Sequence, residues 1–371
     1  MGENTTAISC LRQAFERSLE SRFPAYAFRL PGDSAFYWGA CPAHELETLA
    51  GCTLPGEGRE GFLFAPFDSG AFPSLFFPVK PVRAEAIDLE ALNRCADSSV
   101  RADEGPMPVT DCDYPAYEQQ ALTLIGAMRR GELRKAVLSR TVTLRRPMLS
   151  DVELFLRLAA KYPAAFVSWV HLPGRGRWIG ATPETLLDYD GRRLSTMALA
   201  GTRKAGTRKA GTPGEWGAKE QEEQQIVADT IVAALERCGL DPVVGARFTK
   251  VAAQVEHLCT PVTVEGRLTD SQLNDILCAL HPTPAVGGYP KEAAKVWIDR
   301  VEPHRRRYYG GYLGPVQADG MRLFVNLRCM EVDDGYVRLY VGGGLTAQSQ
   351  PASEWCETEA KAQTLLSVIN G

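Results

Sequence analysis

The chain lacks any C-x-x-C pair, although it holds ten cysteines among its 371 residues. They stand at 10, 41, 52, 95, 112, 238, 259, 278, 329 and 356, without the spacing of metal ligands. That argues against a zinc ribbon or a disulfide framework and points to buried, reduced thiols in a cytoplasmic protein. No apolar run reaches the ~18 residues of a membrane span, so no membrane partner is expected. The opening stretch, 1–14, has no apolar core of the secretory type. A basic excess is also missing: 41 Lys and Arg stand against 45 Asp and Glu, for a net charge of −4. Nucleic acid and anionic surfaces are therefore not expected partners. What is present suffices for a large core, with 45% apolar and 23% charged residues.

The expected organisation is a single domain over 1–371, with a strand-rich part at 1–110 and a motif-bearing part at 111–371. A helix is expected near 8–20. Short aromatic strands follow at 26–28, 36–38, 61–64 and 74–77, punctuated by Gly and Pro. The polar stretch 97–113 reads as a surface connection. Asp113 caps a helix over 114–130. Lys135 to Leu144 reads as a strand with Lys135, Val137, Ser139 and Thr141 on one face and Ala136, Leu138, Arg140 and Val142 on the other. A helix near 151–161 and strands at 165–170, 176–180 and 186–189 come next. Asp190-Gly191 is a hairpin signal. Strands are expected again at 248–255, 322–330 and 336–341. Between 200 and 212 the unit Ala-Gly-Thr-Arg-Lys repeats in tandem. It carries Arg203, Lys204, Arg208 and Lys209 and reads as a mobile, basic active-site loop. The mixture of hairpins and helices argues α+β with large, mostly antiparallel sheets.

Two acidic steps stand out. Glu220 and Glu223 fall within a helix expected over 219–238, and Glu354 and Glu357 within a last helix opened by Pro351. Each pair is spaced i, i+3, which puts both carboxylates on one helical face. Taken singly, each reads as a solvated face. Brought together, they form an all-oxygen site suited to a hard cation such as Mg²⁺.

The chain between and around these steps resembles the chorismate-utilising enzymes, which include isochorismate and salicylate synthases and the large subunits of anthranilate and aminodeoxychorismate synthases. The matching stretches are Lys135-Ala-Val-Leu-Ser-Arg140, Gly180-Ala-Thr-Pro-Glu184, Leu199-Ala-Gly-Thr202, 219–229, His257-Leu258, 281–288, Tyr309-Gly-Gly311, Arg328, Gly342-Gly-Gly344 and 354–361. They occur in the family's order. The resemblance implies two large, mostly antiparallel sheets packed face to face with helices outside. It also implies chorismate, a small dianion, as substrate.

By the same resemblance, Glu223 and Glu357 are the principal Mg²⁺ ligands, with Glu220 and Glu354 assisting. Glu184 matches the acid that protonates the departing C4 hydroxyl, and burial or neighbouring carboxylates would keep it protonated. Lys135 matches the base for an incoming water, a role open only to a neutral amine. His257 is implied to orient the ring carboxylate or the leaving hydroxyl. Arg328, Tyr309 and the amides of Gly342, Gly343 and Gly344 suit the second carboxylate. Ala200, Gly201, Thr202, Ala285 and Lys361 complete the implied substrate contacts. Read alone, Lys135 would be a solvated strand lysine, Arg328 a surface charge on an alternating strand, and His257 a satisfied core histidine.

Ammonia-using relatives lack a lysine at the position of Lys135, and salicylate synthases commonly carry threonine where Ala285 stands. The combination here resembles isochorismate synthase, an isomerase needing no amidotransferase subunit. A monomer and a role in menaquinone biosynthesis are the expectations. A siderophore pathway, a salicylate synthase or a non-catalytic chorismate-binding protein are the alternatives. One departure is Gln224, where many relatives have His after the glutamate. Gln can still hydrogen-bond a carboxylate but cannot carry charge.

Overall fold

The computed structural model describes residues 2–96, 110–204, 216–252 and 255–371. Most of the polar connection at 97–113 and of the tandem repeat lies outside them. Among the described residues the strands form two antiparallel sheets. The first has nine strands, in the spatial order Gly288–Tyr289, Lys135–Arg145, Tyr336–Leu345, Cys329–Val332, Gly176–Thr182, Phe166–Leu172, Ala25–Arg29, Tyr37–Ala40 and Val82–Arg83. The second runs Val243–Val244, Val255–Glu265, Arg193–Lys204, Thr185–Tyr189, Gly320–Val325, Tyr312–Gln317, Gly61–Ala65, Ser74–Phe77 and Glu47–Leu49, with Phe248–Ala252 added beside Val255–Glu265. Strands from the first 96 residues enter both sheets: Ala25–Arg29 pairs with Phe166–Leu172, and Gly61–Ala65 with Tyr312–Gln317.

The sheets are packed face to face by aromatic residues. Phe166 of the first sheet stacks on Phe324 of the second at 4.1 Å between ring centroids, and Tyr26 on Phe62 at 4.4 Å. Helices cover the outer faces. Gly2–Ser21, Asp151–Lys161 and Pro351–Ile369 pack on the first sheet through Phe15, Phe155 and Leu365. Ala218–Arg237 and Asp270–Leu280 pack on the second through Ile231, Leu235 and Ile276. Tyr114–Arg129 and Lys291–Val301 cover Ala136, Leu138 and Leu345. Asp113 caps its helix as expected, its side chain accepting from the Ala116 amide at 3.0 Å.

Three expectations need correction. The strand expected over 322–330 is two strands in different sheets, broken at 326–328. The strand expected over 248–255 is likewise split, with Phe248–Ala252 ending before Val255–Glu265 begins. All ten cysteines are free, but Cys278 and Cys356 are exposed rather than buried. The helices Asp270–Leu280 and Lys291–Val301 escaped the sequence reading.

Because the sheets meet through stacked rings, Phe324→Ala removes contact on both sides of the interface. We expect it to cost about 3–5 kcal/mol, the usual range for a buried Phe→Ala. Equilibrium urea unfolding measures it, and a loss below about 1 kcal/mol would show that the stack is not a main source of inter-sheet cohesion.

Candidate active site

Two of the places where the chain passes from one sheet to the other lie side by side. Between Gly176–Thr182 and Thr185–Tyr189 it leaves the first sheet for the second and carries Glu184. Between Gly320–Val325 and Cys329–Val332 it returns and carries Arg328. The crossovers are bonded to each other: the Val325 amide donates to the Glu184 carbonyl at 3.0 Å, and the Ala181 amide to the Arg328 carbonyl at 3.1 Å. Arg328 adopts φ +47°, a left-handed conformation that costs a non-glycine residue ~1–2 kcal/mol. Its guanidinium is tied to the last helix, donating to Thr364 Oγ1 at 3.0 Å and the Lys361 carbonyl at 3.3 Å.

Beside these crossovers lies a cavity of about 60 Å³, lined by Glu184, His257, Tyr309, Arg328 and Glu223 among others. Burial pushes the Glu184 carboxyl up to about 7, against the pull of Lys135, Lys250, Lys361 and Arg328. Burial also lowers His257 to about 3, helped by Arg328 and Lys361, so its ring is neutral. The ring's Nδ1 lies 3.2 Å from Thr202 Oγ1, its register partner on the neighbouring strand. Arg328 is lowered to about 10, again chiefly by burial. Burial raises the Tyr309 hydroxyl above its ordinary range.

The acidic helix faces do meet across this space, and lysines sit between them. Lys135 Nζ is 3.1 Å from Glu223 Oε1, without an aligned hydrogen bond. Lys219 reaches from its helix to Glu354 Oε1 at 2.5 Å. Lys361 lies 2.6 Å from Glu357 Oε1 and donates to the Gly342 carbonyl at 2.8 Å. Burial would raise the Glu357 carboxyl, but Lys361, with Lys219 and His257, holds it below its ordinary value. Glu354 is raised by burial in spite of Lys219. Its Oε2 is buried without a well-formed hydrogen bond, although the Ser349 hydroxyl acts on this carboxylate. Glu220 differs from the other three: its Oε2 turns back to Gly217 at the start of its own helix.

Among the described residues no three His, Cys, Asp or Glu side chains are arranged as a ready metal site. The donors nevertheless converge on the glycine run. A Cβ on Gly344 would lie 2.1 Å from Glu223 Oε1, and one on Gly343 would lie 3.7 Å from Glu354 Oε2 and 3.8 Å from Glu357 Oε1. An all-oxygen set of this kind fits a hard cation. The same proximity explains Gly344, where a side chain would displace Glu223.

Other predicted residues fall as follows. Ala200, Thr202, Ala285, Gly342, Gly344 and Lys361 line the cavity. Gly201 does not; it forms a bulge at φ +71° against the Glu220 backbone. Lys135 is fully buried behind Glu223 and does not itself line the cavity. Arg328 is no surface charge but is buried in a crossover. Gln224 points away, donating to Thr260 Oγ1 at 2.6 Å. The sequence reading missed Lys219 as a partner of Glu354. It also missed Lys250, which braces the Glu184 crossover by donating to the Pro183 carbonyl at 2.8 Å.

Residues 82–367 match a family described as chorismate binding enzyme. The chain belongs to this family. Isochorismate synthase EntC of Escherichia coli strain K12 is 31% identical over 265 residues, covering 69% of this chain and 68% of that protein. Anthranilate synthase component 1 of Streptomyces coelicolor is 34% identical over 254 residues, covering 64% of this chain and 48% of that one. Overall identity therefore does not separate the activities within the family. The fold is shared with the menaquinone-specific isochorismate synthase MenF from Escherichia coli, at a TM-score of 0.75 and 22% identity over 93% of this chain and 88% of that one.

The raised Glu184 has a consequence for stability. Between about pH 4.5 and pH 7 the folded chain keeps a proton that the unfolded chain has lost, so stability falls as pH rises through that range. A shift from 4.5 to about 7 corresponds to on the order of 3 kcal/mol. Urea unfolding at pH 5 and pH 8, in EDTA, should show this loss in the native chain and not in Glu184→Gln. Identical pH dependence in both would mean that Glu184 titrates as an ordinary carboxyl.

Proposed function

We propose that the chain is an Mg²⁺-dependent isochorismate synthase, converting chorismate to isochorismate. The observation that carries this reading is a buried lysine and a proton-retaining carboxyl in one site: Lys135 is the charge that acts most strongly on Glu184. A base and an acid are what an exchange of hydroxyls needs, and a binding protein needs neither. Lys135 is also the residue that ammonia-using relatives lack, and Ala285 stands in the cavity wall where salicylate synthases commonly carry threonine.

In this reading a water attacks C2 and gives its proton to Lys135. The ring double bonds shift, and the C4 hydroxyl leaves with the proton of Glu184. One water enters and one departs, so the reaction is a net isomerisation. Arg328 and Tyr309 hold the enolpyruvyl carboxylate. Neutral His257 orients by hydrogen bonding rather than by charge. Glu223, Glu354 and Glu357 are the residues that would hold Mg²⁺, with Glu220 in support. When bound, the ion neutralises the ring carboxylate and draws electron density from the ring. An ammonium cannot accept a proton, so Lys135 acts as the base only after giving its proton to solvent as its contact with Glu223 opens. Lys219 must likewise free Glu354, which is why these two lysines belong to the description of the site.

The cavity of about 60 Å³ is far below the roughly 300–1,000 Å³ of ligand pockets. Substrate entry therefore accompanies the opening of these ion pairs. The protein acts as a cytoplasmic monomer without an amidotransferase subunit, and menaquinone is the proposed destination of its product. A deletion strain with normal menaquinone but no siderophore would reverse that last assignment.

Incubation with chorismate and Mg²⁺ should give isochorismate without ammonia. Salicylate plus pyruvate as the main product, or strict dependence on ammonia, would sink the reading. EDTA should abolish turnover and Mg²⁺ restore it, and Glu223→Ala and Glu357→Ala should be nearly inactive though folded. Lys135→Ala and Glu184→Gln should each lower kcat by roughly 10²–10⁴, the usual worth of a placed acid or base. Arg328→Ala should raise KM as well. Steady-state kinetics on the variants checks this, and near-normal kcat in Lys135→Ala would remove the lysine from the mechanism.

A further inference from the structure

Behind the cavity wall, out of contact with the cavity itself, lies a buried ion pair that the chemistry above does not use. Glu302 and Arg306 have side chains only 2% and 3% exposed. The guanidinium meets the carboxylate at two points, Nε to Oε2 at 2.8 Å and Nη2 to Oε1 at 2.5 Å. Its remaining donors go to backbone: Nη1 to the Val286 carbonyl and Nη2 to the Val137 carbonyl, both at 2.7 Å. Glu302 Oε1 also accepts from the Ser139 amide at 2.7 Å and the Ser139 hydroxyl at 2.8 Å. The Phe67 ring lies under the guanidinium at 4.4 Å.

These acceptors are the outer ends of cavity walls. Val137 and Val286 line the cavity, Val137 two residues beyond Lys135 and Val286 next to Ala285. Tyr309 lines it too, and its amide donates to the Arg306 carbonyl at 2.9 Å. The Gly288–Tyr289 strand pairs with the Lys135 strand for only two residues, followed by one bond from the Val137 amide to the Gly287 carbonyl at 2.7 Å. Past that point two carbonyls, Val137 and Val286, need a donor and cannot serve each other. Arg306 is that donor, and Glu302 fixes its angle.

We propose that the Glu302–Arg306 pair is a positioning unit: it holds the Ala285–Val286 wall at a set distance from the Lys135 strand and thereby places the attacking nucleophile against the base. The inference rests on the reading of Lys135 and Ala285 given above. A planar fork bonded to three groups fixes both spacing and angle, whereas an ammonium fixes neither. A displacement of about 1 Å in such a wall is enough to cost ~10²-fold in rate.

The test uses Arg306→Lys, which keeps the buried charge, and Ser139→Ala, which loosens only the Glu302 end. Chorismate-binding sites per chain are counted by calorimetry, so that misfolded protein is not scored as slow enzyme. We expect Arg306→Lys to bind chorismate within about 3-fold of the native chain. Its kcat per binding site should fall about 10–100-fold, and the share of pyruvate-eliminated product should rise because a looser Ala285–Val286 wall lets bound isochorismate reach the geometry for pyruvate loss. Ser139→Ala should move the same way by a smaller factor. Native kcat per site and a native product ratio in the folded variants would overturn the proposal. If Arg306→Lys fails to fold, Ser139→Ala decides by the same criteria. The native chain's product, measured alongside, separates the two claims. Should it be anthranilate, the water-using reading fails; should it be salicylate, water still adds but the isochorismate synthase assignment fails; in either case the clamp is judged by the loss of kcat toward that product.

Discussion

A charge taken out of water must be paired, and this requirement organises the space between the two sheets. Burial lifts Glu184 to about 7 against the pull of nearby cations and, helped by Arg328 and Lys361, drops His257 to about 3. Lysines stand against these carboxylates: Lys361 helps hold Glu357 below its ordinary value, Glu354 is raised by burial in spite of Lys219, and Lys135 lies 3.1 Å from Glu223. Breaking such a pair by removing one member typically costs about 3–5 kcal/mol, because the other is left stranded. The site is therefore held closed by the same charges that a dianionic substrate and a divalent cation would engage.

The sheets provide the rigid frame for this site. Stacked rings fix their separation, and the two crossovers bridge it next to the cavity. Arg328 shows how firmly the frame is set. Its left-handed backbone is unfavourable in isolation, and it persists because the strands on both sides are paired in different sheets and its side chain is anchored to Thr364. Strain at a site of this kind survives only where the surroundings over-determine it.

Much of this frame was legible in the sequence because it is local and periodic. The alternation along the Lys135 strand, the i, i+3 glutamates and the Asp113 cap all follow from residue spacing. The break at Arg328 was not legible, since a strand that changes sheets keeps the same apolar rhythm on both sides of the step. The helix Asp270–Leu280 did carry a signal that went unread, the Thr269 and Gln272 capping box. The lysine partners had none. Lys219 and Glu354 are 135 positions apart, and only the packing of two helices brings them together. Ordered family motifs pointed to what periodicity could not, the meeting of Glu184, His257 and Arg328 at one cavity. They did not reveal that Lys135 stands behind Glu223 or that Glu220 turns away.

The adjacent crossovers also bear on how this scaffold can diversify. Enzymes commonly change substrate by lengthening or shortening the surface loops that carry their reactive groups. Here Glu184 and Arg328 sit on short bridges bonded to each other and to opposite sheets. An inserted residue in either bridge would shift the register of a strand in both sheets and turn every following side chain to the wrong face. Length is thus constrained where Glu184 and Arg328 stand. New specificities on this frame would come by exchanging side chains at fixed positions, such as that of Ala285, and length variation would be confined to connections farther from the bridges.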